Sequence, residues 1–308
     1  MNVLIIGLGS IAKKHIAALR SISLDFQIFA LRSSIDADQF EDVVNIFDVD
    51  DESLIFDFAI ISNPTHLHYQ FIKLLSNKEI PLFIEKPAVH SLNKVDELLD
   101  LVSEKHLTTY VACNLRFHPC LMFLKDKLNF ERLVINELNV YCGSYLPDWR
   151  SEKDFKKIYS ANVAMGGGVH LDLFHELDYV TWLFGFPHSS HSITRSVSSL
   201  AIDAVDYANY ILQYENFTAS IVLNYYRRKP KREIDIVFDD TTWTVNLIDN
   251  KINDDTGLLL FESKDFSVLE TYKSQLVYFI DCLKNNIKPM NSLQETVSVL
   301  EICLKNEK

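Results

Sequence analysis

The first twelve residues constrain the fold more than any later stretch. Val3-Leu4-Ile5-Ile6 is an apolar, β-forming run that ends in Gly7-Leu8-Gly9-Ser10-Ile11-Ala12 and passes straight into a helical pattern. A strand that feeds a Gly-x-Gly-x-x-Ala turn and then a helix opens a βαβ unit. The first glycine permits the tight turn, and the second lets backbone N–H groups approach a pyrophosphate. Ala12 is small enough for close packing of helix on strand. Gly7, Gly9, Ser10, Ile11 and Ala12 are therefore the expected phosphate-facing turn of a dinucleotide site.

The rhythm of the first third extends that reading. Strands are predicted over 3–6, 27–31, 43–46, 57–62, 82–84 and 109–113, and helices over 10–20, 66–77 and 92–105, the last capped by Ser91. Alternation of this kind builds a parallel sheet covered by helices. Beyond residue 118 the pattern changes to a helix near 121–128, a strand near 133–141, a helix near 169–184 and two hairpins, 206–214 with 218–226 and 233–238 with 241–247. The tail predicts helices over 273–283 and 293–304. The expected fold is α/β, an N-terminal Rossmann doubly wound parallel sheet (1–117) followed by an α+β domain with a mostly antiparallel open sheet (118–308). A chain of 308 residues, 48% hydrophobic and 23% charged, has the material for two cores.

Charge and cysteine usage remove several function classes. Thirty Lys and Arg against 42 Asp and Glu leave a net charge of -12. With no basic stripe expected to offset it, nucleic acid is excluded as a partner. No apolar run approaches the roughly 20 residues of a bilayer span, and the start lacks a basic leader, so the expectation is a soluble, cytoplasmic protein without a membrane partner. Five cysteines, an odd number with no Cys-x-x-Cys, predict reduced packed thiols, and no metal site is expected.

Four further stretches carry chemistry. At the end of the second strand stand Arg32, Ser33 and Ser34 where a carboxylate would hold a ribose 2'-hydroxyl. A guanidinium and two hydroxyls suit a 2'-phosphate, so NADP is expected in preference to NAD. Asn63-Pro64-Thr65-His66-Leu67-His68 and Glu85-Lys86-Pro87 follow successive buried strands, where ligand-facing turns belong. A lysine there can polarise a substrate oxygen. Gly166-Gly167-Gly168 then precedes Asp172 and His175, which a continuous helix would place on one face with Asp178 beyond. A histidine oriented by a carboxylate is a general base for a hydroxyl proton. His170 lies too far round such a helix for three-point metal ligation. Tyr69 and Lys73, a Tyr-x-x-x-Lys, read as surface residues on the helix after the fourth strand.

Taken in order, Gly7 to Ala12, Asn63-Pro64 with His68, Glu85-Lys86-Pro87, Asn114-x-Arg116-Phe117-x-Pro119 and the glycine run with Asp172 and His175 resemble the Gfo/Idh/MocA oxidoreductases. The resemblance spans nearly the whole chain. It implies a cofactor held by Asn63, Pro64, His68, Glu85 and Lys86 besides the glycine turn. It further implies catalysis by Lys86 near the nicotinamide, with His175 as proton-transfer residue and Asp172 beside it. The open sheet of such proteins commonly forms an oligomer interface, which implies a homodimer or homotetramer. One departure is the spacing from Asp172 to His175, three rather than the family's four. Asn114 and Arg116, with Tyr145, Trp149, Arg150 and Tyr159, are the candidate substrate residues, since aromatic and cationic groups suit sugar rings and their acidic substituents. The function so implied is NAD(P)-dependent hydride transfer on a hydroxyl or keto carbon of a sugar, nucleotide sugar or cyclitol. The alternatives are a non-catalytic sensor of the same fold and a reductase of a non-sugar ligand.

Overall fold

The structure, a computed structural model, describes residues 1–51, 53–131 and 133–305. Along the first third run β1 (Asn2–Ile6), α1 (Ser10–Ile22), β2 (Gln27–Leu31), β3 (Val43–Ile46), β4 (Phe58–Ile61), α2 (His68–Asn77), β5 (Leu82–Ile84), α3 (Val95–Glu104) and β6 (Thr109–Val111). There follow α4 (Pro119–Phe130), β7 (Ile135–Tyr145), α5 (Val169–Asp172), α6 (His175–Phe184) and β8 (Ser189–Arg195). Then come β9 (Tyr207–Gln213), β10 (Thr218–Asn224), β11 (Tyr226–Phe238), β12 (Thr242–Asn246), β13 (Lys251–Asp254) and β14 (Leu259–Glu262). The tail is α7 (Val268–Asn285) and α8 (Leu293–Leu304). Two compact units result, Met1–Asn114 with Val268–Ser298, and Leu115–Ser267 with Val299–Lys308.

The first unit holds a six-stranded parallel sheet in the order β3-β2-β1-β4-β5-β6. Helices cover such a sheet on both faces, so its strands are continuous apolar runs. Leu4, Ile5, Phe58, Ile60, Phe83 and Ile84 are all fully buried. The strand order reverses between β1 and β4, and the carboxyl ends of these two strands define the crevice where ligands of such sheets bind. The tail helix α7 belongs to this unit, not to the second half where the chain order placed it. Its Phe279 packs edge-on against Phe58 and Phe83, with ring centroids 5.4 and 5.6 Å apart, so the sheet supplies the partner for α7's apolar stripe.

The second unit holds an eight-stranded sheet, β14-β13-β12-β11-β7-β10-β9-β8. Only β7 and β10 pair in parallel, and the remaining neighbours are antiparallel. Leu138, Val140 and Cys142 alternate inward along β7, the period-two pattern of a sheet with one covered face.

Several local features depart from the sequence reading. α3 starts three residues late because Ser91 Oγ accepts the Asn93 N–H and Lys94 turns left-handed at φ 61°, which closes the chain into a turn before the helix begins. The strands β8, β13 and β14 were not predicted, and β13 and β14, of four residues each, are too short to show the alternation that marks a strand in sequence. Tyr210, Tyr225 and Trp243 are buried in their own unit, Tyr210 donating to the Cys303 carbonyl at 3.0 Å. All five cysteines are buried and none is bridged. Among the described residues no helix is long and apolar enough to cross a membrane.

Candidate active site

In the first unit the turn after β1 meets the turn after β4. Gly7 adopts φ +86°, and a Cβ placed on it would lie 2.5 Å from Asn63 Cα, so only glycine fits. Ser62 locks the approach, its N–H donating to the Ile6 carbonyl at 2.9 Å and its hydroxyl lying within bonding distance of the Ile6 and Gly7 carbonyls. Gly9 is different. A Cβ there meets nothing within 4 Å, so the protein's own packing does not require the glycine. Gly9 is the N-cap of α1 and no side chain caps it. No side chain of the protein caps this 13-residue helix, whose first N–H groups can take a ligand's phosphate beside a residue that leaves room for its approach. Beside them the Asn63 carboxamide has its nitrogen and oxygen buried with no hydrogen-bond partner. Buried polar atoms are seldom left so, and this pair suits the polar groups of a dinucleotide. Ser10 is exposed, Ile11 half-buried and Ala12 fully buried against the sheet.

Two residues expected on the cofactor instead brace the turns. His68 is 1% exposed, with one ring nitrogen 2.9 Å from the Asn63 carbonyl oxygen and the other 3.1 and 3.2 Å from those of Pro87 and Ala88. Burial lowers its pKa, so it stands neutral and ties the β4 turn to the β5 turn. Glu85 turns its carboxylate to His15 on α1, with Nε2 and Oε1 2.5 Å apart, and its second oxygen accepts the Lys86 N–H at 3.3 Å. His15, missed in the sequence, is fully buried between the edges of Phe83 and Tyr272. Burial, with the Glu85 charge adding, raises the Tyr272 phenol above its usual range. Lys86 is half-buried directly after this anchor, which fixes where the β5 turn presents its ammonium.

Arg32 is half-buried, its Nη1 donating to the Asp38 carbonyl at 3.1 Å and to Asn45 Oδ1 at 3.3 Å. Ser33 and Ser34 are exposed beside it. Pro64 is likewise exposed. Tyr69 and Lys73 both reach Glu97, at 2.9 and 3.3 Å, a surface cluster on α2 and α3. Asn114 donates to Thr271 Oγ1 at 2.6 Å and is buried, so its carboxamide serves the packing of α7 rather than a substrate.

In the second unit the predicted single helix over 169–184 is broken. α5 ends at Asp172, Leu173 takes ψ 35°, and α6 begins at His175. Asp172 and His175 thus lie on two helices, and the shared-face geometry of one straight helix does not apply. A different contact holds Asp172: the Tyr225 hydroxyl donates to its Oδ2. Burial first, and then the Asp172 charge, raise the Tyr225 phenol well above 10, so it remains a donor at working pH. Tyr225 was legible only as one of several sheet aromatics, since its partner lies 53 positions away. His175 is 9% exposed at the start of α6.

Two arginines hold α6 in place, Arg116 buried and Arg232 half-buried. Arg116 grips both oxygens of Asp178 at 3.0 and 2.7 Å, with both side chains essentially inaccessible. It therefore leaves the substrate residues, because a guanidinium spent on a buried carboxylate is unavailable, and breaking such a pair costs about 3–5 kcal/mol. Arg232 grips Glu176 at 2.6 and 3.1 Å, and although burial alone would lower it, the Glu176 charge holds the guanidinium above its usual value. Nearby, Trp149 is 38% exposed, donates to Ser144 Oγ at 2.8 Å and meets the Tyr225 ring edge-on at 5.3 Å. Tyr145 and Tyr159 are half-buried and Arg150 exposed. Among the described residues no group of three or more His, Cys, Asp and Glu is placed to hold a metal.

Residues 1–113 match the Gfo/Idh/MocA model described as an oxidoreductase family with an NAD-binding Rossmann fold. That part of the chain is similar to the family's NAD-binding Rossmann fold. UDP-N-acetylglucosamine 3-dehydrogenase GnnA from Acidithiobacillus ferrooxidans shares its fold at TM-score 0.80 and 18% identity, over 99% of this chain and 96% of that one. Myo-inositol 2-dehydrogenase from Lactobacillus plantarum follows at TM-score 0.79 and 16% identity, over 98% and 95%. The WlbA dehydrogenase from Bordetella pertussis, solved with NADH and UDP-GlcNAcA, superposes at TM-score 0.80 and 16% identity, over 98% and 93%. The chain therefore combines a Rossmann-like first unit with a second, mostly antiparallel sheet, the fold of these structures.

Proposed function

We propose that the chain is an NAD(P)-dependent dehydrogenase or reductase acting on a hydroxyl or keto carbon of a sugar, nucleotide sugar or cyclitol. The observation that carries the reading is the bare glycine turn, where Gly9 and the unpartnered Asn63 carboxamide have no purpose within the protein's own packing. Relatives of this architecture that act on UDP-N-acetylglucosamine or myo-inositol support the substrate class. When bound, the nicotinamide supplies or accepts the hydride. His175 takes the proton of the substrate hydroxyl in the oxidative direction and returns it in the reductive one. Asp172, held by Tyr225, orients that imidazole, and the Lys86 ammonium stabilises the developing alkoxide. Arg32, Ser33 and Ser34 receive the 2'-phosphate of NADP, which makes it the preferred cofactor. Tyr145, Trp149, Arg150 and Tyr159 contact the substrate. The protein works in the cytoplasm as a homodimer or homotetramer formed through the second sheet, without nucleic acid or membrane.

Consumption of NADPH and NADH with a panel of keto-sugars, and their reduction from NADP and NAD with polyols, tests the reading. The expected result is turnover of at least one such compound, with a kcat/KM advantage for NADPH that Arg32→Ala shrinks by about tenfold or more. Dinucleotide binding without turnover of any compound would favour the sensor. Turnover confined to non-sugar carbonyls would favour the third reading.

A further inference from the structure

Asp206, at the head of β9, is 1% exposed, and its carboxylate is only half used. Its Oδ2 accepts the Ser198 N–H at 3.0 Å, whereas Oδ1 is buried without a hydrogen-bond partner. Among the described residues no cation forms an ion pair with it. A carboxylate oxygen so placed keeps its full desolvation penalty until a donor reaches it, and native proteins rarely leave one in that state. Asp206 also lines an open cleft of about 310 Å³, bounded besides by Arg195, Val197, Ser198, Tyr207 and Tyr226. Buried Asp206 forms its floor, and exposed Arg195 and Val197 form its rim.

A second unpaired charge shares this cleft. The Asp206 N–H donates to the Arg195 carbonyl at 2.9 Å, which holds the end of β8 beside the start of β9. The Arg195 guanidinium nevertheless forms no ion pair with Asp206 or with any other carboxylate among the described residues. Two phenols complete the lining. Partial burial first, and then Tyr207, Tyr141 and Asp206 close by, raise the Tyr226 phenol above its usual range, so its hydroxyl keeps its proton and remains a donor.

The lining selects the ligand. A carboxylate and a guanidinium that share a cleft without meeting are complementary to a molecule that carries an ammonium and a carboxylate of its own. Charge-assisted bonds form at both ends, the guanidinium fork matching a carboxylate and the Asp206 oxygen receiving an N–H. Tyrosine rings beside them suit an ammonium and an apolar side chain alike. The volume of about 310 Å³ lies at the lower end of the roughly 300–1,000 Å³ of small-molecule sites, which suits a ligand of amino-acid size better than a nucleotide.

We propose that this cleft binds a free α-amino acid, its ammonium on Asp206, its carboxylate on Arg195 and its side chain against the rings of Tyr207 and Tyr226. The proposal stands apart from the dehydrogenase reading, since it uses none of the residues assigned to hydride or proton transfer.

Calorimetric titration of the whole chain with each common L-amino acid tests it, followed by analogues of the tightest binder that lack either the amine or the carboxylate. At least one amino acid should bind, and removal of either charge should weaken it about tenfold or more. Asp206→Asn keeps an acceptor for the Ser198 N–H and removes the charge, so it should weaken the amino acid about tenfold or more at an unchanged thermal midpoint. Arg195 is exposed, so Arg195→Ala should fold as the parent does. It should weaken the amino acid about tenfold while leaving the affinity of the carboxylate-free analogue as it was. Binding of no amino acid, equal affinity in the parent and Arg195→Ala, or analogues of a single charge that bind as tightly as the amino acid would each overturn the proposal. So would self-association in sedimentation that Arg195→Ala abolishes while no amino acid binds, because a second copy would then be what covers the cleft.

Discussion

His118 shows how burial turns a common residue into a structural part with its own pH signature. It is 2% exposed ahead of α4, accepts the Cys120 N–H on Nδ1 at 3.2 Å and has Nε2 3.1 Å from Asn250 Oδ1. Burial pushes its pKa down from 6.5 to about 4, against the bond to Asn250. Between those values the unfolded chain binds the proton and the folded chain does not, so stability is complete above 6.5 and falls as the pH drops toward about 4. The slope is at most about 1.4 kcal/mol per pH unit. His118→Asn keeps an N-cap acceptor and removes the titration. Urea midpoints of parent and variant should move apart in the variant's favour as the pH is lowered, and parallel curves would contradict this account. None of it was legible in the sequence, because a lone histidine before Pro119 gives no sign of its burial. Lys86 and His175 stand out in the sequence by type and position, whereas the contacts Glu85–His15 and Asp172–Tyr225 join residues 70 and 53 positions apart.

At the scale of elements, the strands of the parallel sheet were read to within two residues at each end. β2, β3 and β5 coincide with the predicted runs, since apolar stretches of that length between turns admit few other structures. The break between α5 and α6 was not, because Val169 to Phe184 keeps a helical pattern across it and no glycine or proline marks the interruption. The turn between β1 and α1 separates the two duties a glycine can have. Gly7→Ala meets both a positive φ and the Asn63 backbone, so it should unfold or severely destabilise the first unit. Gly9→Ala meets open space and should cost stability by no more than about 1 kcal/mol, the loss of a glycine N-cap. It should nonetheless weaken dinucleotide binding about tenfold or more, because the methyl group occupies the ligand's approach. Thermal midpoints and cofactor titrations of the two variants decide this. Undiminished cofactor affinity in Gly9→Ala would show that the turn is no phosphate cradle.

For the molecule as a whole, the chain order concealed one feature and revealed another. The first unit takes back residues 268–298, which linear reading assigned to the second half. Helix α7 follows its apolar residues to Phe58 and Phe83, and sequence proximity does not encode that choice. The change from alternating strands and helices to sequential hairpins was visible near residue 118, and the structure changes from a parallel to a mostly antiparallel sheet there. The proposed dehydrogenase activity rests on two side chains, the Lys86 ammonium and the His175 imidazole. The most direct test is steady-state turnover of His175→Ala and Lys86→Ala on a substrate of the parent protein, with cofactor affinity measured alongside. Each variant should lose roughly 10²- to 10⁴-fold in kcat while binding cofactor within about threefold of the parent. Near-normal kcat in either variant would contradict the account.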